Sequence, residues 1–198
     1  MLNELRASSQ HEEGGDEDGA AMEVVTSIEQ DLQRPRDGVS KLEDVTIDVC
    51  IETYLRRIWP VVPLLTREVL KEEASRTSSS LLSRQFIIAF CAYVVTFGKL
   101  PDDPLFAPCQ ASEANLGQKL LEAALRIQNP ERVTQPTRFS VYVSFFLYGA
   151  HAGLGDYRQG WFWLREATTL FLMQKGTVEW AKDDAYTSLF WVLVISER

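Results

Sequence analysis

A chain of 198 residues with 45% apolar and 24% charged side chains suits one soluble globular domain, or such a domain with a tail. Its net charge of −8 is confined to residues 1 to 44, which hold 12 acidic and 4 basic side chains, whereas residues 45 to 198 hold 16 of each. A neutral body has no broad basic face to neutralise phosphates, which excludes tight DNA binding by this chain alone.

Residues 1 to 44 include the run Glu12-Glu13-Gly14-Gly15-Asp16-Glu17-Asp18-Gly19 and contain no Phe, Tyr or Trp. They cannot bury enough apolar surface to offset their ordering entropy and are expected to be a disordered acidic tail or linker. An acidic activation segment would need aromatics or clustered leucines between its charges. The N-terminus lacks a basic-then-apolar export pattern, and the longest apolar run, Phe86 to Val95, is about half of what a membrane helix needs.

From Val45 onward, apolar residues recur at spacings of three and four between Pro, Gly and Ser clusters, which predicts helices joined by loops. Ile47, Ile51, Tyr54 or Leu55, and Ile58 form the first stripe, which Pro60 ends. Trp59-Pro60-Val61-Val62-Pro63-Leu64-Leu65 is expected to be extended, because proline disfavours helix in the residue before it. Thr66 can cap a short helix to about Glu73. Leu81 to Phe97 is apolar nearly all round and predicts a central buried helix with Gly98 in the C-terminal cap position. Ser112 can cap the next helix, in which Leu116, Leu120, Ala123 or Ala124, and Ile127 share a face; Asn129-Pro130 stops it.

The segment Arg138 to Ala152 fits two periods. Phe139, Val141, Val143, Phe145 and Leu147 alternate as a strand does, while Val143, Phe146, Leu147 and Ala150 make a helical stripe. Helix is preferred because every neighbour is helical and Thr137 can cap it. Gly153-Leu154-Gly155-Asp156 then predicts a tight helical hairpin, with Asp156 capping a helix from Tyr157 to about Lys175 and Gly176 closing it. On that helix Tyr157, Trp161, Leu164 and Phe171 share one side, and Gly160, Trp163, Ala167 and Leu170 an adjacent one; Gly160 and Ala167 leave a groove for the preceding helix. A final helix from about Asp183 runs through Leu189 to Ile195 and reaches Arg198 without a cap, so the domain is expected to continue beyond it. The expectation is thus an all-α array of about six to seven helices.

No catalytic constellation is legible, and the chain is read as a non-enzyme. Cys50, Cys91 and Cys109 are too far apart for a CxxC knuckle, and Cys91 in its apolar run reads as a buried hydrophobe in a reducing compartment. His11 and His151 have no ligand at i+3 or i+4, so no metal or cofactor is expected. The pairs Glu72-Glu73, Asp102-Asp103 and Asp183-Asp184 read as surface helix ends, since adjacent helical side chains diverge. Trp161, Phe162 and Trp163 cover most of a helix circumference, so at least one must face solvent or another element. Arg165, Glu166, Glu197 and Arg198 interrupt apolar faces and read as ion pairs in the core or as part of an interface.

Two late blocks carry a resemblance: Gly155-Asp-Tyr-Arg-Gln-Gly-Trp-Phe-Trp-Leu-Arg-Glu-Ala and Leu189-Phe-Trp-Val-Leu-Val-Ile-Ser-Glu-Arg. With the aromatic-proline entry from Tyr54 and the helices Phe86 to Phe97 and Phe139 to Tyr148, they resemble the fungal-specific transcription factor, or middle homology, domain of fungal zinc binuclear cluster regulators. Arg158, Gly160, Trp161, Leu164 and Ala167 match the first block of that family, and Phe190, Trp191, Val194, Glu197 and Arg198 the second. The Trp-Leu-Arg-Glu-Ala and Ser-Glu-Arg endings are closest to regulators of carbohydrate utilisation. The resemblance spans residues 45 to 198. It implies a nuclear, non-catalytic region that regulates transcription through contacts with other segments of a longer regulator or with the transcription machinery. Trp161 to Trp163 and the Phe190 to Ile195 helix would supply its packing surfaces. The family's zinc cluster is absent from this chain, so neither zinc nor direct DNA binding is expected of it. The alternative is a tetratricopeptide-like adaptor, since Gly155 to Trp163 resembles one turn and helix of such a repeat; it requires a recurring pattern, and the sequence holds one copy.

Overall fold

A computed structural model describes residues 44–98, 113–174 and 184–198. The expectations for the acidic tail, His11, Cys109, the Ser112 cap and the Gly176 stop lie outside the described residues. What is described is all-α, with no strand among the described residues. In chain order the helices are α1 (Asp44–Thr53), α2 (Arg67–Ser75), α3 (Leu81–Phe97), α4 (Glu113–Arg126), α5 (Glu131–Thr134), α6 (Arg138–Gly153), α7 (Tyr157–Gln174) and α8 (Asp184–Ser196). The seven expected helices are present, and the single turn α5 is an addition to them.

The first expected helix is divided. Past Thr53 the chain widens into a π-helical turn, Tyr54–Ile58, closed by the Trp59 N–H on the Tyr54 carbonyl at 2.8 Å. The segment after it is extended, as the prolines dictate, and is held by one phenol. The Tyr54 hydroxyl donates to the Val62 carbonyl at 2.8 Å and accepts from the amides of Leu64 and Leu65 at 3.2 and 3.3 Å. Three backbone groups that would otherwise be buried unpaired are satisfied by one side chain. Burial pushes this phenol up to about 12, so it keeps its proton and remains a donor at neutral pH.

α3 packs between α4 and α6, and α6 in turn packs against α7; α1 and α2 lie on α3. Ser80 caps α3 by accepting from the Ser83 amide at 3.2 Å, a role not foreseen when Ser75 to Ser80 read only as a break. Thr137 and Ser140 cap α6 reciprocally, which settles the helix-or-strand ambiguity of this segment. Twelve consecutive or nearly consecutive α3 residues from Ser83 to Val95 are buried, as are Ser140 to Leu147 of α6. Their rings interlock: Phe90 meets Tyr54 edge-on at 5.3 Å between centroids and Phe146 at 5.6 Å, and Tyr93 stacks on Phe146 at 5.2 Å. Such contacts add about 0.5–1.5 kcal/mol per pair beyond area burial. Gly149 lies under one edge of the Tyr93 ring, so close that a β-carbon there would collide with it.

α3 also closes the end of α4. The buried Gln85 amide donates to the Ala124 and Ile127 carbonyls at 3.1 and 3.0 Å, satisfying acceptors that the α4 terminus leaves free. Cys50 and Cys91 are fully buried, and the Cys91 thiol is held well above its ordinary range by a hydrogen bond with Cys50 and by burial. Gly98 occupies the cap position of α3 with an ordinary right-handed φ of −68°. In the α6–α7 hairpin only Gly155 is left-handed, at φ +82°; Leu154 is the α6 cap residue, and the Asp156 carboxylate accepts from the Gln159 amide at 3.2 Å to start α7.

One expectation about charge is corrected. Glu73 is 5% exposed and does not lie at a surface helix end. Its carboxylate accepts from Ser83 Oγ at 2.6 Å and from Arg76 at 3.1 Å, and these two partners make its burial tolerable.

Candidate functional site

The two sequence blocks singled out above meet in the fold, because α8 returns along α7. On the inner side of α7, Gly160 faces the Tyr148 backbone, and Leu164 and Ala167 are fully buried. The small Gly160 and Ala167 let α6 approach, and the expected groove is present. On α8, Leu189 and Leu193 are the buried positions.

The charges pair as α7 turns. Glu166, facing inward, accepts from Arg132 Nη2 at 2.9 and 3.1 Å and from Ser144 Oγ at 3.1 Å. Arg132 comes from the short α5, and its guanidinium also lies over the Trp163 ring at 5.3 Å from the centroid. The Arg132 side chain is 10% exposed and Glu166 20%, so this is a largely buried ion pair joining α5, α6 and α7. Arg132 is the partner sequence reasoning missed. Nothing in its own segment distinguishes it, since the residues it meets lie more than thirty positions away.

Glu197 makes the second link. It accepts from Thr168 Oγ1 at 3.0 Å and pairs with Arg165 at 3.4 Å, tying the end of α8 to the middle of α7. Arg165 is 68% exposed, which makes this a screened surface pair rather than a core pair. Its guanidinium also reaches the Trp161 ring at 6.0 Å.

The aromatics face the other way. Trp161, Phe162, Phe190 and Trp191 are all exposed, at 42 to 59%, together with Leu172, Met173 and Ile195. Tyr157 and Trp161 therefore do not share a buried side with Leu164 and Phe171; Leu164 and Phe171 alone turn inward. The reason is packing: α6 covers the Gly160, Leu164 and Ala167 face, and α8 covers little of the remainder. Arg158 and Arg198 are exposed as well, so the outer face mixes aromatics with cations.

His151 lies at the end of α6, 8% exposed, with Nδ1 3.5 Å from the Asp156 carboxylate. Desolvation lowers its pKa, and Asp156 opposes that effect only in part. Among the described residues, no group of three or more His, Cys, Asp and Glu side chains is placed to hold a metal ion, and no helix is long and apolar enough to cross a membrane. The described side chains bring no acid, base and nucleophile together, and what this arrangement can do is pack and bind.

No protein-family model matches the chain, and neither a curated protein nor a solved structure matches it.

Proposed function

We propose that this chain is the regulatory, non-DNA-contacting region of a fungal zinc-cluster transcription factor. It would act in the nucleus, without catalysis and without a cofactor of its own, through contacts with other segments of a longer regulator or with the transcription machinery. The observation that carries this reading is the meeting of the two resembling blocks. Arg165 and Thr168 of the first are bonded to Glu197 of the second. Residues whose spacing in sequence carries the resemblance thus have a shared structural task, which is to align α7 with α8.

That alignment leaves Trp161, Phe162, Phe190 and Trp191 on the outside with Arg158 and Arg198 among them. Exposed aromatics and arginines are the residue types that dominate protein–protein hot spots. The function is therefore assigned to surface contact rather than to chemistry.

The test is a fungal reporter assay in which the full chain is placed between a heterologous DNA-binding module and an activation module. The chain is expected to lower reporter output relative to the fusion lacking it, and the triple substitution Trp161→Ala, Phe162→Ala, Trp191→Ala is expected to restore that output. Equal output with and without the chain, at matched protein levels, would overturn the proposal.

A further inference from the structure

A cavity of about 160 Å³ lies where the extended segment after the π-turn, α3, α6 and α8 come together. Val61 and Val62 wall one side, Tyr93 and Phe97 of α3 with Phe145 of α6 another, and Val192, Ile195 and Ser196 of α8 a third. No Asp, Glu, Lys, Arg or His lines it. Its size is comparable to the roughly 150 Å³ of an apolar engineered cavity that accepts benzene.

One polar group distinguishes this space from a packing defect. Tyr93 is 2% exposed, with Phe97 and Phe146 stacked on its ring at 5.2 Å each and Gly149 under one edge. The part of Tyr93 left to line the cavity is its hydroxyl end, and no hydrogen bond joins that hydroxyl to any described residue. A buried phenol without a partner is costly unless something accepts its proton. The contrast with Tyr54 in the same core is direct, since that phenol engages three backbone groups. Burial raises the pKa of Tyr93, so it stays protonated at neutral pH and is available as a donor.

We propose that this cavity is a binding site for a small uncharged aromatic molecule carrying one hydrogen-bond acceptor, such as an aryl ketone, aldehyde or ether, with Tyr93 as the donor. The absence of charge in the lining disfavours carboxylates, phosphates and amines, which would be desolvated without an ion partner. The apolar lining equally disfavours sugars, whose several hydroxyls would find only the Tyr93, Tyr148 and Ser196 side-chain hydroxyls and a few backbone groups. The fold also connects the site to the contact face. Ser196 lines the cavity, and the next residue, Glu197, holds α8 to Arg165 and Thr168. A bound molecule would fix the α8 wall and with it the placement of Phe190 and Trp191. The site itself stands apart from the transcriptional role, because it rests on the cavity and the unpaired phenol.

Acetophenone and ethylbenzene have nearly the same shape and differ in the acceptor, so they are the probes. Titrated into the isotopically labelled full chain, both are expected to shift the amide resonances of Gly149, Ala152 and Ser196 saturably, with acetophenone bound about tenfold tighter, the worth of one hydrogen bond. Tyr93→Phe should remove that preference while keeping ethylbenzene affinity within about twofold, and it should fold, because it deletes an unpaired buried hydroxyl. Val192→Phe, which fills the cavity from α8, should abolish binding of both. Absence of saturable shifts with either probe would overturn the site, as would an acetophenone preference that survives Tyr93→Phe or glucose shifting the same amides at lower concentration.

Discussion

The α3–α6 centre and the α7–α8 pair are equally aromatic, yet one is sealed and the other is half outside. Phe86, Phe90, Tyr93, Tyr142 and Phe146 are at most 2% exposed, while Trp161, Phe162, Phe190 and Trp191 are 42 to 59% exposed. Composition does not separate them; the number of neighbours does. α3 is flanked by α4 and α6, with α1 and α2 across it, whereas α7 has α6 on one side and only slight cover from α8. Aromatic content states how much surface a helix can bury, and topology decides how much it does bury.

The largest expected effect follows from that difference. Phe146→Ala should cost about 3–5 kcal/mol, since it removes a ring from the centre of an interlocked cluster and leaves a cavity that helices cannot close. Trp191→Ala, a larger deletion from the open side, should cost less than about 1 kcal/mol. Urea unfolding of both variants, followed by far-UV circular dichroism, checks the ordering. Similar losses would mean that the α7–α8 face is as much core as the centre, and the division of the molecule would fail.

The ion pairs repeat the contrast on a smaller scale. Glu166 and Glu197 both bind an arginine and a hydroxyl. Glu166, however, faces Arg132 in the interior, whereas Glu197 faces an arginine that is 68% exposed. Removing one partner of a fully buried pair costs about 3–5 kcal/mol, and the residual exposure of Glu166 brings Glu166→Ala to an expected loss of about 2–3 kcal/mol. Glu197→Ala should lose about 0.2–1 kcal/mol and lose it less as salt is added, because that pair is screened. Denaturant midpoints at low and high ionic strength distinguish the two.

Much of this architecture is legible in the sequence, and the missed parts share one cause. Helix positions, the extended Trp59 to Leu65 segment, the Thr137 and Asp156 caps and the Gly160–Ala167 groove all follow from local pattern, since spacing, proline and cap residues act within a few positions of themselves. The Tyr54 latch, the Glu73–Ser83 bond, the Arg132 partner of Glu166 and the cavity below Tyr93 join positions from eight to more than a hundred apart. No local period encodes such meetings. The same limit explains Tyr157 and Trp161: a helical wheel groups them with Leu164, but which arc of the wheel is covered depends on where α6 and α8 lie.

His151 sits at the border between the two regions, where α6 turns into α7, and it gives the gentlest way to test their connection. Its Nδ1 lies 3.5 Å from Asp156, and the Asp156 amide donates to the His151 carbonyl at 2.9 Å, so the imidazole rests on the hairpin itself. Desolvation lowers its pKa in the folded chain below the ordinary 6.5, with Asp156 opposing in part. The unfolded chain therefore binds a proton first as pH falls, and protonation favours unfolding. Stability is intact above 6.5, declines as pH drops through 6.5 towards the lower folded value, and levels off below it. The decline should be modest, because the nearby carboxylate partly compensates the buried charge. Comparing denaturant midpoints at about pH 8 and about pH 5 for the wild type and His151→Gln isolates the effect. The wild type should lose more than the variant over that interval, and the difference should concentrate in amide exchange at Gly153 to Gly160 if the hairpin is where the α6 core hands over to the α7 surface. An identical pH profile for the two proteins would show that the imidazole is solvated in the folded chain and that the border between sealed and open regions lies earlier in α6.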